Sequence, residues 1–231
     1  MAISHTERSK WLAGIDISGH QDLDEVDFNK LSHASPQVRF AYVKATEGVS
    51  YVNPDAQWQV GGFLGPEVPL PVRTAPVVGP YTFARFAQSP IEGARHFYNT
   101  SKRLWAGRPM LMPMLDAEWR KGDNAHNAVT GKKMIEWLTA FFGEAESLFG
   151  REVGIYTGPY WWADKVSKEV HSLVKPLWLA RHTKSPDKLP LGFTDWLFWQ
   201  FTGKGTVSGI DDALDRNWFG GTEDELLKLS K

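Results

Sequence analysis

The 231-residue chain carries 26 basic and 27 acidic side chains, a formal charge of -1, which leaves no electrostatic footprint for nucleic acid or an anionic membrane. It contains no cysteine, which excludes disulfides, zinc–thiolate sites and a thiol nucleophile. No apolar run approaches the length that spans a bilayer, so no membrane insertion is expected.

The N-terminal stretch MAISHTERSKW lacks the apolar core of a signal peptide, so the expectation is a product made in the cytoplasm. No linker-like tract divides the sequence, and a single domain over 1–231, acting as a monomer, is expected. Residues 11–18, WLAGIDIS, read as a first strand ending at Asp16, broken by Gly19. Asp22, Asp24, Glu25 and Asp27 read as the solvated start of a short helix containing Phe28 and Leu31. Residues 38–46, VRFAYVKAT, form a second strand with Phe40, Tyr42 and Lys44 on one face. Lys44 lies close to Glu47 and has two equal readings, an ion pair with that acid or a ligand contact.

Asn53 is expected to cap a helix with Pro54 at its first position, running through Trp58 to about Phe63. The proline-rich stretch 65–76 reads as a loop, and VVGPYTFA at 77–84 as a third strand with Tyr81 and Phe83 on one face. Ser89, Pro90 and Glu92 form a capping-box pattern that opens a helix to about Leu104.

The apolar stretch 109–119, PMLMPMLDAEW, reads as a fourth strand that ends in Asp116 and Glu118. Side chains alternate along a strand, so these two acids share a side while Ala117 faces the other. Like charges about 7 Å apart repel and are costly to bury, a poor arrangement for stability alone. The repulsion, with Trp119 and apolar neighbours, should raise the pKa of one acid and leave the other ionised, as general acid catalysis requires. The competing reading is a solvated loop after the strand. Ile135, Leu138, Phe142, Ala145 and Phe149 then mark a helix stopped by Gly150. A fifth strand follows at 152–157, and a short helix starts at Gly158-Pro159.

Beyond it, strand-like runs at 176–181, 195–202 and 212–217 are separated by gaps too short for full crossover helices. The expected fold class is therefore α/β: an irregular TIM-like β/α barrel of eight strands with outer helices missing among the last ones. In such a barrel the strand C-termini converge on one mouth, where Asp16, Asp116, Glu118 and Asp215 would meet among Tyr81, Tyr156 and Trp178. Four acids there admit a divalent-metal site or a carboxylate glycosidase. None of the seven histidines falls at a convincing strand end, and the aromatic residues favour a sugar ligand over a metal.

The ordered set GIDIS, YVKATEG, GPYTFAR, PMLDAEW, GIYTGPYWW, LWLAR, WQFTGKGTVSGI and LDRNWF resembles glycoside hydrolase family 25, the Chalaropsis-type lysozymes that include many phage endolysins. The resemblance covers almost the whole chain in family order. It implies hydrolysis of the β-1,4 bond between N-acetylmuramic acid and N-acetylglucosamine in peptidoglycan strands, without a cofactor or metal. By the same resemblance Glu118 corresponds to the general acid, with Asp116, Asp16 and Asp215 as its acidic partners, and Lys44, Tyr81, Tyr156, Trp178 and Gln200 line the groove. It also implies action on the bacterial cell wall after phage lysis or unconventional export. Thr82 replaces a common histidine and SGHQ at 18–21 replaces S-H-W-Q, departures that bear on subsite contacts. No cell-wall-binding repeat follows the barrel, and TEDELLKLSK reads as a short terminal helix. A binding module without activity and a metal-dependent hydrolase are the alternatives.

Overall fold

The computed structural model describes residues 5–21, 26–65, 76–166, 173 and 175–230. Of the acids expected at the start of the first helix, Asp22, Asp24 and Glu25 lie outside the described residues, as does most of the proline-rich stretch after residue 65.

Among the described residues there are nine strands: β1 (Leu12–Ile17), β2 (Val38–Glu47), β3 (Tyr51–Val52), β4 (Val77–Phe83), β5 (Met114–Asp116), β6 (Gly154–Thr157), β7 (Leu177–Ala180), β8 (Phe198–Val207) and β9 (Ile210–Phe219). Eight of them close a barrel in the order β1-β9-β8-β7-β6-β5-β4-β2, sealed by the pairing of β1 with β2, while β3 only lengthens the rim beside β2. The pairings from β1 through β2, β4, β5, β6 and β7 to β8 are parallel. Helices α1 (Phe28–Ser32), α2 (Ala56–Leu64), α3 (Pro90–Trp105), α4 (Asn124–Asn127), α5 (Gly131–Phe149), α6 (Pro159–Lys165) and α7 (Glu223–Lys228) surround it. The expected thinning of the outer layer is present, since no helix separates β7 from β8 or β8 from β9.

The last strand departs from the sequence reading. β8 and β9 form one hairpin of two ten-residue strands around a two-residue turn at Ser208 and Gly209, so β9 runs antiparallel to both β8 and β1. A turn that short permits no crossover, and antiparallel pairing follows. Gly209 has a φ of 96°, and a Cβ there would sit 2.5 Å from the carbonyl oxygen of Asp27, where the hairpin tip packs on α1. Asp215 therefore does not occupy the C-terminal end of a parallel strand. It reaches the mouth from the middle of β9, in register with Asp16.

Two helix starts refine the reading. Asn53 does not cap α2 directly; its Oδ1 accepts from the backbone N–H of Asp55 at 3.1 Å, which inserts a turn and delays the helix to Ala56. The buried Asn53 amide then donates to the Lys44 carbonyl oxygen at 2.9 Å and to Gln59 Oε1 at 3.0 Å, tying α2 to β2. Ser89 caps α3 as expected, accepting from the Glu92 N–H, with Pro90 in the first turn.

The core has two compartments. One lies between barrel and helices and includes Ile15, Val43, Phe97, Leu115, Phe141 and Trp199. The other fills the barrel itself with Phe40, Tyr42, Tyr81, Met114, Tyr156, Trp178 and Phe198. Room for these rings comes from small residues opposite them: a Cβ on Gly14 would lie 2.3 Å from the ring of Phe40. At the bottom, Leu226 and Leu229 of the C-terminal segment join the same interior cluster and plug the barrel. Its upper layer of aromatic residues is the floor of the mouth.

Candidate active site

The fourth strand is shorter than its apolar run. Only Met114–Asp116 pairs as strand, because Pro113 lacks an N–H and the stretch before it runs out of register. Alternation still holds past its end: Asp116 and Glu118 both line a cleft of about 360 Å³ at the mouth, while Ala117 is buried in the outer core. Asp16, Asp215, Lys44, Tyr81, Tyr156, Trp178 and Gln200 line the same cleft. All nine residues named from the sequence thus come together. Trp119 does not join them; it turns outward, 48% exposed, and cannot be what raises a carboxyl pKa.

Hydrogen bonds fix the back wall. Asp16 accepts from Asn217 Nδ2 at 2.6 Å and from Gln200 Nε2 at 3.1 Å and 3.2 Å on its two oxygens. Asn217 Oδ1 in turn accepts from Trp178 Nε1 at 2.7 Å, and Gln200 Oε1 accepts from the Tyr156 hydroxyl at 2.8 Å. Two aromatic residues of the floor are thereby locked to one acid. Asp116 is different: it is buried, and its Oδ1 has no hydrogen-bond partner. An orphaned buried carboxylate oxygen in a native site calls for a donor from elsewhere.

All four acids are pushed above their ordinary range, where the sequence reading left one fully ionised. Burial raises Asp16, and the Asp215 charge adds to it against the amides of Asn217 and Gln200. Burial also raises Asp116, helped by Glu118 and opposed by Lys44. Glu118 rises to about 7 through burial and the charge of Asp215, again opposed by Lys44. Asp215 is raised by burial and restrained by His182 and by a hydrogen bond from Asp16. The physical reason is shared desolvation: a barrel mouth holding four carboxyls keeps fewer than four charges at neutral pH.

Lys44 makes the ion pair that its first reading expects, and it also stands in the cleft. Its Nζ donates to Glu47 Oε2 at 2.9 Å, and it lines the cleft beside the acids. Burial would raise Glu47, but Lys44 and Arg85 donate to it and Arg120 stands near, so it is held below its ordinary value.

The sequence reading missed four residues. His182 lies two positions beyond β7 and lines the cleft, its Nε2 2.7 Å from Gln200 Oε1, which overturns the view that no histidine stands at a strand end. His20, delivered by the SGHQ segment, also lines the cleft. Asn217 shares a strand face with Asp215 two residues earlier, a signal that alternation could have supplied. His126 carried no such signal. It is buried, its Nδ1 accepts from the Phe86 N–H at 3.3 Å, and its Nε2 therefore donates to the Glu118 carbonyl oxygen at 2.9 Å. Burial lowers its pKa, so the ring that holds the Glu118 backbone is neutral. Thr82, by contrast, is buried between strands, hydrogen-bonded to Thr46 Oγ1 at 2.7 Å, and does not line the cleft.

Comparison with known proteins agrees with this geometry. Residues 15–210 match glycosyl hydrolases family 25. The chain is 28% identical over 219 residues to Lysozyme M1 of Streptomyces globisporus, covering 94% of this chain and 70% of that protein. It is 28% identical over 220 residues to the N,O-diacetylmuramidase of Chalaropsis sp, covering 94% and 98%. Among solved structures, the bacterial lysozyme from Streptomyces coelicolor superimposes with a TM-score of 0.79 at 27% identity, over 94% of this chain and 96% of that one. The family GH25 lysozyme from Aspergillus fumigatus gives 0.78 at 25% identity, over 95% and 98%. With a closed mixed barrel, an acid-lined mouth and a family match over most of its length, the chain belongs to glycosyl hydrolases family 25 and is a glycoside hydrolase.

Proposed function

We propose that the chain is an N-acetylmuramidase that hydrolyses the β-1,4 bond between N-acetylmuramic acid and N-acetylglucosamine in bacterial peptidoglycan. Relatives named lysozyme and muramidase support the substrate class. The observation that carries the mechanism is the unpartnered, buried Asp116 Oδ1 beside Glu118, a carboxyl that keeps its proton up to about pH 7.

In this reading the protonated Glu118 donates to the glycosidic oxygen as the bond from the anomeric carbon breaks. Asp116 Oδ1 accepts the N–H of the substrate's 2-acetamido group and turns its carbonyl oxygen toward the anomeric carbon, where it forms the new bond. Water then attacks that carbon, the acetamido oxygen leaves, and the water's proton passes to the Glu118 carboxylate. Configuration is retained. Lys44 sets the charge that Asp116 and Glu118 share, and Asp16, saturated by amide donors, holds the floor aromatic residues in place.

One observation favours a second route. Asp215 is half-buried and flanked by His182, which suits a base activating water and predicts inversion. Proton NMR of the first product decides: an initial β-anomer supports retention, and an initial α-anomer overturns the assignment of Asp116.

The function itself is tested by reducing-end release from purified peptidoglycan, with and without EDTA, and mass spectrometry of the fragments. Fragments with muramic acid at the reducing end, unaffected by chelation, are expected. Ends in glucosamine, no release at all, or release abolished by EDTA would each overturn the proposal.

A further inference from the structure

Five large apolar side chains are conspicuously exposed among the described residues, and three of them, Trp119, Tyr160 and Leu191, gather around the short helix α6. Trp119 is anchored there by its Nε1, which donates to Asp164 Oδ2 at 3.3 Å. Tyr160 and Asp164 are four positions apart on the helix and so share a face, about 6 Å along the axis. The exposed indole and the exposed phenol are therefore attached one helical turn apart on α6. Leu191 is tied in through its carbonyl oxygen, which accepts from Trp162 Nε1 at 3.0 Å.

The segments that carry this surface also supply residues of the cleft. Trp119 follows Glu118 directly, Tyr160 follows the end of β6 by three residues, and Arg181 immediately precedes the cleft residue His182. The surface also carries cations of its own. Lys188 Nζ lies 4.4 Å from the centre of the Tyr160 ring and the Arg181 guanidinium 5.7 Å from it. Asp187 engages Arg181 at 3.1 Å, which leaves Lys188 as the more available charge.

Neither the indole nor the phenol is needed by the core, since 48% and 58% of their surfaces face solvent. Flat apolar faces with a polar edge suit pyranose rings, and cations beside them suit carboxylates. Extending the muramidase reading of the cleft, we propose that Trp119, Tyr160 and Lys188 form an outer subsite for the peptidoglycan strand beyond the two sugars at the scissile bond. Rings of the glycan stack on Trp119 and Tyr160, and carboxylates of the peptide stems pair with Lys188. Charge complementarity supports this placement: the acids of the cleft disfavour stem carboxylates, and Lys188 on the rim attracts them.

Binding is tested separately from catalysis in a Glu118→Gln background, by cosedimentation with insoluble peptidoglycan either carrying its stem peptides or stripped of them. Trp119→Ala and Tyr160→Ala are each expected to weaken binding to both preparations about tenfold. Lys188→Glu is expected to weaken binding only where stem peptides are present, and to respond to salt. In the active protein the same three substitutions should raise KM on the polymer while kcat at saturating polymer stays unchanged. Unaltered cosedimentation, or a fall in kcat with KM unchanged, overturns the subsite. A wild-type protein that binds the polymer through these residues but releases no reducing ends would overturn the muramidase reading while leaving the subsite standing.

Discussion

At Glu118 the energetics of the site and of the fold meet. Its carboxyl is raised from 4.5 to about 7 in the folded chain, so between those values the folded state holds the proton that the unfolded state has lost. Stability therefore falls as pH rises through this window, and the full cost, on the order of 3 kcal/mol, is present only above about pH 7. Glu118→Gln is accordingly expected to abolish most activity yet raise the Tm by several degrees at pH 8, with no change at pH 4; an equal Tm shift at both pH values would contradict the assigned direction. In wild type, kcat should decline as pH rises through about 7, where the acid loses its proton. His126 offers a second residue-scale test, since its two nitrogens do separate jobs. His126→Gln keeps a donor near the Nε2 position and should retain most of kcat, whereas His126→Asn keeps only the Nδ1 side and should lose about tenfold. A structural role alone would affect the two variants alike and would move Tm without separating their kcat.

Among the elements, the β8–β9 hairpin and α7 do what a regular barrel assigns to crossover helices. The hairpin closes the barrel against β1 and brings Asp215 opposite Asp16, with Asn217 one step further along the same face. Its tip is anchored by the Asp27 N–H, which donates to the Gly209 carbonyl oxygen at 2.7 Å. α7 begins with a complete capping box between Thr222 and Glu225 and lowers Leu226 and Leu229 into the barrel floor. Leu226 is buried at the end of the barrel remote from the cleft, so Leu226→Ala should cost roughly 2–4 kcal/mol. Calorimetry should show a Tm lower by roughly 4–16 °C, with kcat/KM at 25 °C unchanged. A loss of activity in the still-folded variant would mean that the floor and the mouth are mechanically coupled.

For the whole molecule, near-neutral charge conceals a separation of charge. Four carboxyls are concentrated in the cleft, while Lys44, Arg85 and Arg120 converge on Glu47 at its edge and Arg181 and Lys188 stand beyond it. We expect the 26.0 kDa chain to be monomeric, because the exposed apolar rings gathered at α6 among the described residues are those proposed to hold the glycan, where a second copy would obstruct a polymeric substrate. Sedimentation velocity should give a single species near that mass. A dimer dispersed by Trp119→Ala would instead assign the α6 surface to self-association.

What the sequence determined by itself was local and periodic. Alternation placed Asp116 and Glu118 on one side, apolar runs located the parallel strands, and the short gaps after residue 176 announced missing helices. Asp16, Asp116, Glu118, Tyr81, Tyr156 and Trp178 were legible because strand ends converge in any closed barrel, whereas Lys44 and Gln200 were placed in the groove by family resemblance and Asp215 arrives on an antiparallel strand. Tertiary structure alone decided the direction of β9, since a two-residue turn reverses a strand that composition cannot orient. It also turned Trp119 outward, brought His126 of α4 back to the carbonyl oxygen of Glu118 eight positions earlier, and raised all four acids together. These outcomes depend on which groups share a desolvated space, and a linear pattern of residues records spacing along the chain but not the water excluded when the barrel closes.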